Sequence, residues 1–250
     1  MPLKNILRES LGEYGVMKIL ITGAAGYVAG ILRPALDRAH DCTWFDRFPS
    51  QPGAPKHEVG DVLSRESIEA AMAGKDAVIQ LVMIPLDLED AAEQYYMVNV
   101  RGMTTVLEAA VEHRVSRVIY ASTMSIYDRN WERHFESEDS FPDALDPYGL
   151  TKHLGEQVCR TFSAAHDWMS ILALRMVLPC CDKKWEQRKD RGAGKAIFTG
   201  PEDLRALYLA ALSLKEHKGF DAVNASSDME GKHLNLTKAG NFLGWSPRGM

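Results

Sequence analysis

Residues 21–30 read ITGAAGYVAG, directly after an apolar run that begins at Lys18. Small residues crowd the point where a strand hands over to a helix. A turn there that must be tight and must let a ligand come close to the backbone needs that composition. Gly23 permits the turn, Gly26 clears the approach, and Ala29 is small enough for the helix to lie against the strand. The first turn of a helix also offers unpaired N–H groups and the positive end of its dipole, which suit a phosphate.

Outward from this turn, strands and helices alternate. KILIT (18–22), CTWFD (42–46), HEVGD (57–61), AVIQLV (77–82), RVIYAS (117–122) and MSILALR (169–175) read as strands. Residues 27–39 read as a helix that Pro34 should kink, and 64–74 as one with only part of a capping box, Ser67 standing where an acid is usual. Residues 89–113 and 148–166 read as two further helices. Strands apolar along their whole length, with helices between them, predict a parallel sheet covered on both faces. The expected fold is α/β, a Rossmann-type doubly wound sheet. The organisation reads as an N-terminal extension (1–17), a dinucleotide-binding Rossmann domain (18–178) and a small C-terminal substrate lobe with returning sheet elements (179–250), together one compact unit. Segments 49–55, 128–147 and 179–195 read as loops.

Composition narrows the function. With 46% hydrophobic and 25% charged residues, the 250-residue chain can bury a sizeable core. A net charge of −5 with no basic run argues against a nucleic-acid partner. The N-terminus has no apolar stretch of membrane-spanning length, and Cys42, Cys159, Cys180 and Cys181 show no CxxC spacing. The expectation is a cytoplasmic protein with reduced thiols. His113, His134, His153 and His166 show no metal spacing, so no metal is expected. Trp131 can cover the active site or pack on its own loop, with packing the favoured reading, and Tyr95, Tyr96 and Met97 are read as helix core.

Asp46 ends the second strand, 20 residues after Gly26. An acid there accepts hydrogen bonds from both hydroxyls of an adenosine ribose, which favours NAD. Arg47 follows it and suits a 2′-phosphate, so NADP stays open. Tyr148 and Lys152 are four apart in a helix and share a face. An ammonium beside a phenol lowers its pKa and fits it for proton transfer, with the Thr123 hydroxyl holding the substrate oxygen. The hydride step belongs to a nicotinamide.

TGAAGYVA, Asp46, GDV (60–62), NVRGMTTVLEAA (99–110), ASTMSIYD, PYGLTK and the late LGWSP together resemble the extended branch of the short-chain dehydrogenase/reductase superfamily, the NAD-dependent epimerase/dehydratase family, over about Lys18 to Trp245. The resemblance implies a cofactor site made of Gly23, Ala25, Gly26, Tyr27, Val28, Asp46, Arg47, Asp61, Val62, Leu81, Val82, Met83 and Asn99, completed by Tyr148 and Lys152. It implies Thr123, Tyr148 and Lys152 as catalytic residues, with Ser122 and Ser125 as further hydroxyls at the substrate. It also implies a homodimer formed through helices 89–113 and 148–166.

The C-terminal portion is similar in layout to uronate dehydrogenases, through Arg191 or Lys195, Glu202-Asp203-Leu204 and Leu243-Gly244-Trp245. That likeness implies a small sugar acid as substrate and Arg191 as the grip on its carboxylate. A solvated basic loop is the competing reading of Arg188, Arg191 and Lys195. Three functions compete. They are an oxidoreductase on a small sugar, sugar acid or related alcohol, an epimerase that keeps its NAD, and a dinucleotide-binding redox sensor without catalysis.

Overall fold

The computed structural model describes residues 15–49, 57–86, 88, 91–189 and 198–249. Seven strands form one wholly parallel sheet in the order β3-β2-β1-β4-β5-β6-β7. They are β1 (Lys18–Thr22), β2 (Asp41–Asp46), β3 (His57–Val59), β4 (Ala77–Gln80), β5 (Arg117–Thr123), β6 (Ser170–Met176) and β7 (Gly219–Ala225). The helices are α1 (Tyr27–Ala39), α2 (Arg65–Met72), α3 (Ala92–Tyr95), α4 (Gly102–Glu112), α5 (Pro147–Ala165), α6 (Asp182–Lys189), α7 (Pro201–Leu212) and α8 (Thr237–Leu243).

The inner strands are buried on both faces because alternate residues serve opposite layers, while the edge strand β3 is largely exposed. Ile19, Ile21, Ile79 and Ile119 join one core with Leu32 and Leu36 of α1 and Leu204 and Leu207 of α7. Leu20, Val78, Val118 and Tyr120 join the other with Ile68 of α2, Val106 of α4 and Cys159 of α5. Each fully buried aliphatic side chain contributes about 1.5–3 kcal/mol. The strand order reverses between β1 and β4, and ligands of such sheets bind at the carboxyl ends of the strands there.

Most of the predicted elements are present, with shifted ends. β3 stops at Val59 and β4 at Gln80, short of the expected 61 and 82. α1 continues through Pro34. Ser64 caps α2, its Oγ accepting from Ser67 N at 3.2 Å, without an acid in the box. The helix expected at 89–113 is corrected to three pieces. α3 and α4 are joined by a π-helical turn, Tyr96–Arg101. β7, beyond the expected dinucleotide-binding domain, closes the same sheet beside β6. The N-terminal extension lies outside the described residues up to Tyr14.

Candidate active site

A cleft of about 790 Å³ opens along the carboxyl ends of the strands. Its first wall is the β1–α1 turn. Gly23 has φ +80°, and a Cβ there would stand 2.8 Å from the Val82 backbone nitrogen. The turn therefore lies directly against the strand-end segment that follows β4. Gly23 N and Ala24 N donate to Phe45 O at 2.9 and 3.2 Å, folding the turn over the end of β2. Gly26 caps α1 with no side-chain hydrogen bond, and no acid occupies the first helical turn. The N–H groups of that turn and the positive end of the helix are left for an anion.

Asp46 stands at the tip of β2. Its Oδ2 accepts from Ala25 N at 3.0 Å and its Oδ1 from Phe48 N at 3.1 Å. Each oxygen keeps a lone pair for a hydroxyl. Arg47 leans toward Asp61 at 3.9 Å, an exposed contact of little energy. Asp61, Val62, Leu81, Val82 and Met83 line the same cleft, as do Tyr27 and Val28. A small-residue turn against bare backbone, an uncapped helix start and a carboxylate with spare lone pairs fit a dinucleotide.

The other wall carries Thr123, Tyr148 and Lys152. Asp146 caps α5 by accepting from Gly149 N at 2.9 Å, and Pro147 opens the helix. A Cβ on Gly149 would overlap the carbonyl oxygen of Ser125, so α5 begins pressed against the segment after β5. That approach brings the Tyr148 hydroxyl into the neighbourhood of the Thr123 hydroxyl, which favours its ionised form. Thr123 Oγ1 also accepts from Ser125 N at 3.1 Å, which fixes its rotamer. Tyr95 packs on the Tyr148 ring with centroids 6.0 Å apart. Lys152 Nζ donates to Ala121 O at 2.9 Å and lies 5.0 Å from the centre of the Tyr120 ring.

Burial dominates the ionisation of both groups. Tyr148 is pushed up to about 12, against a smaller downward pull from the Thr123 hydroxyl. Lys152 is pulled down to about 8 because a buried ammonium is poorly solvated. The expectation that the Lys152 ammonium lowers the phenol is therefore corrected: burial raises it.

Other expectations meet the structure in different ways. Ser122 borders the cleft, but its hydroxyl donates to Glu156 Oε1 at 2.6 Å, behind the strand. It is not a hydroxyl presented to substrate. Asn99 is buried outside the cleft, in the π-helical turn, and donates from Nδ2 to Thr151 Oγ1 at 3.0 Å. Its hydrogen bond thus falls on the residue beside Lys152. Trp131 is 59% exposed and lines the cleft, where packing inside its loop was expected. Tyr96 and Met97 are exposed too, whereas Tyr95 is core.

Ser125 lines the cleft. Arg191 and Lys195 lie outside the described residues. Asn130 and His233, also on the cleft wall, were missed. Their signal was only their place in segments that follow β5 and β7. Among the described residues no helix is long and apolar enough to cross a membrane, and no cluster of ligating side chains suits a metal ion.

The model of the NAD dependent epimerase/dehydratase family matches residues 19–193. Among curated proteins, L-arabinose 1-dehydrogenase (NAD(P)(+)) of Haloferax volcanii is 24% identical over 248 residues, covering 92% of this chain and 96% of that protein. N-acetyl-alpha-D-glucosaminyl-diphospho-ditrans,octacis-undecaprenol 4-epimerase of Escherichia coli O157:H7 is 29% identical over 142 residues, covering 57% of this chain and 42% of its own length. The chain spans about half the length of the first curated relatives it matches. Uronate dehydrogenase from Agrobacterium tumefaciens superposes with a TM-score of 0.77 at 21% identity, over 93% of this chain and 85% of that one.

Proposed function

Because the chain belongs to the NAD dependent epimerase/dehydratase family, we propose that it is an NAD-dependent oxidoreductase acting on a small sugar, sugar acid or related alcohol. The observation that carries this reading is the meeting of Tyr148, Thr123 and Lys152 on one wall of a cleft whose other wall is the β1–α1 turn.

Residues of the β1–α1 turn, the start of α1 and Asp46 would hold the dinucleotide, with its phosphates at the helix start. Asp46, already oriented by two backbone N–H groups, favours NAD over NADP. Bound, the nicotinamide supplies the hydride-accepting and hydride-donating carbon that no side chain provides. Thr123 holds the substrate oxygen by its hydroxyl. Tyr148 takes the proton from that oxygen at Oη, or returns it in the reverse direction. Burial favours the protonated phenol, so a positive charge near Oη is what fits it to act as a base. Lys152, freed from Ala121 O, is placed to hold a ribose hydroxyl and to supply part of that charge.

A dehydrogenase is favoured over an epimerase because the curated relative matched over nearly its whole length is a dehydrogenase, whereas the epimerase is matched over less than half of its own. The redox-sensor reading is weaker because the Tyr148–Lys152 pair and the Thr123 hydroxyl are all in place. The exposed apolar side chains Tyr96, Met97 and Leu150 suit a second copy packed along α5.

The test is the reduced-nicotinamide absorbance band, followed with NAD or NADP and a panel of free aldoses, hexuronates, polyols and nucleotide-sugars. Reduced cofactor with one sugar class, and none from Tyr148→Phe, is the expected result. NAD bound tightly with no reduced product from any substrate would overturn the dehydrogenase. Product analysis of the nucleotide-sugar samples would then separate the epimerase from the sensor.

A further inference from the structure

Behind the active-site wall lies a buried ionic cluster that no step above uses. Arg175 sits in β6, in the otherwise apolar run SILALRM. Its side chain is buried, and so is its partner Glu156. The guanidinium forks the carboxylate, Nε to Oε1 at 2.9 Å and Nη2 to Oε2 at 2.7 Å. Ser122 of β5 adds its hydroxyl to Oε1. Glu156 follows Lys152 by four residues and Tyr148 by eight, so all three share one face of α5.

The remaining arm of Arg175 turns the other way. Nη1 donates to the Tyr127 hydroxyl at 2.9 Å and to Glu138 O at 2.7 Å. Tyr127 Oη donates onward to Ser140 O at 3.2 Å, and Asn224 N of β7 donates to Glu138 Oε1 at 2.9 Å. These contacts tie down segment 128–146, which carries Asn130 and Trp131 to the cleft. None of Arg175, Glu156, Tyr127 and Glu138 lines the cleft.

We infer that Arg175 is a positioning residue that pins the catalytic helix α5 and the substrate-end segment 128–146 to one point of the sheet, setting Tyr148 against the Asn130–Trp131 wall. This rests on the function proposed above. A buried ion pair is poor value for stability alone, since a well-packed apolar pair of the same volume often serves as well. What it gives is direction. The planar fork holds the carboxylate in one orientation and leaves Nη1 aimed at the loop, and a lysine cannot do both. Loop and helix are then fixed to each other through a single side chain.

The experiment compares Arg175→Lys, Tyr127→Phe and wild type by steady-state kinetics, NAD binding and segment-resolved hydrogen exchange. Tyr127→Phe weakens only the loop arm, removing the Tyr127 contacts to Arg175 and Ser140 while Nη1 keeps Glu138 O. It is expected to raise KM for the sugar about threefold to tenfold with kcat within about twofold. It should speed exchange in 128–146 but not in α5. Arg175→Lys loosens both arms. It is expected to lower kcat about tenfold as well, and to speed exchange in both segments. NAD affinity should stay within about twofold in each, because the β1–α1 turn is untouched.

Arg175→Lys matching wild type in kinetics and exchange would overturn the inference. So would equal acceleration of every segment, which marks a general loss of stability. A wild-type protein that binds no NAD sinks the proposed function, while the exchange pattern still decides whether Arg175 pins the two segments.

Discussion

Lys152→Met should stabilise the ligand-free fold at neutral pH while abolishing turnover. Lys152 is 2% exposed, and burial pulls its pKa from 10.5 to about 8. Below pH 8 the folded and unfolded chains both hold the proton, and the fold carries the full penalty of a buried charge. At about 1.36 kcal/mol per pKa unit, that penalty is on the order of 3 kcal/mol. Methionine leaves Ala121 O without its donor, which costs about 1 kcal/mol. The net gain at pH 7 is therefore about 2 kcal/mol.

The sign changes with pH. Between about 8 and 10.5 the unfolded lysine keeps its proton and the folded one does not, so wild-type stability rises with pH there. Tyr148 works in the opposite sense, but only above about pH 10, where the unfolded phenol ionises and the folded one, at about 12, does not. The assay is urea unfolding of both proteins at several values between pH 7 and 9.5. Taking the difference cancels every other titrating group. The advantage of the variant should shrink by about 2 kcal/mol across that range. Parallel curves, within about 0.5 kcal/mol, would refute the reasoning and mean that the lysine is solvated or already neutral at pH 7.

Other perturbations read single contacts. Gly149→Ala drives a methyl group into the Ser125 carbonyl oxygen and pushes the start of α5 outward. kcat should fall about tenfold or more, with a stability loss of about 1–3 kcal/mol by thermal unfolding and little change in NAD affinity. Asp46→Ala removes the acceptor for Ala25 N and Phe48 N as well as the ribose contact. Titration calorimetry should show NAD binding weakened about tenfold and the ratio of NAD to NADP affinity moved toward NADP. Ser122→Ala should leave KM for the sugar within about twofold but lower unfolding stability by about 1–3 kcal/mol, because Glu156 loses a buried donor.

The sheet and the dinucleotide wall were legible because they depend on local chemistry. A glycine at a positive φ, an acid at a strand tip and runs of β-branched residues each announce themselves within a few positions. The π-helical turn at Tyr96–Arg101 left no such mark. Its residues continue an apolar helical pattern, and the extra residue per turn is set by packing against α5. Arg175 could have been suspected. A guanidinium in the middle of an apolar parallel strand requires a buried partner. Finding that partner needed α5 laid across β5 and β6, because Glu156 lies 19 residues away in sequence.

The last three residues of β5 show why the site resisted reading by residue type. Ala121, Ser122 and Thr123 are consecutive, and strand alternation sends the first and third side chains to one face and the second to the other. Thr123 therefore meets Tyr148 while Ser122 turns back to Glu156. Ala121 contributes its backbone, with O accepting from Lys152 Nζ. Two hydroxyls that look interchangeable in the sequence thus meet different residues of the same helix, Thr123 beside Tyr148 at the cleft and Ser122 against Glu156 two turns further on. Exchanging the two side chains would put the smaller hydroxyl on the cleft side and a threonine methyl against the Glu156–Arg175 pair, so Tyr148 would lose its β-branched partner as the buried pair lost its fit. Period-two geometry assigns the roles, and the glycine at 149 lets α5 come close enough to use them.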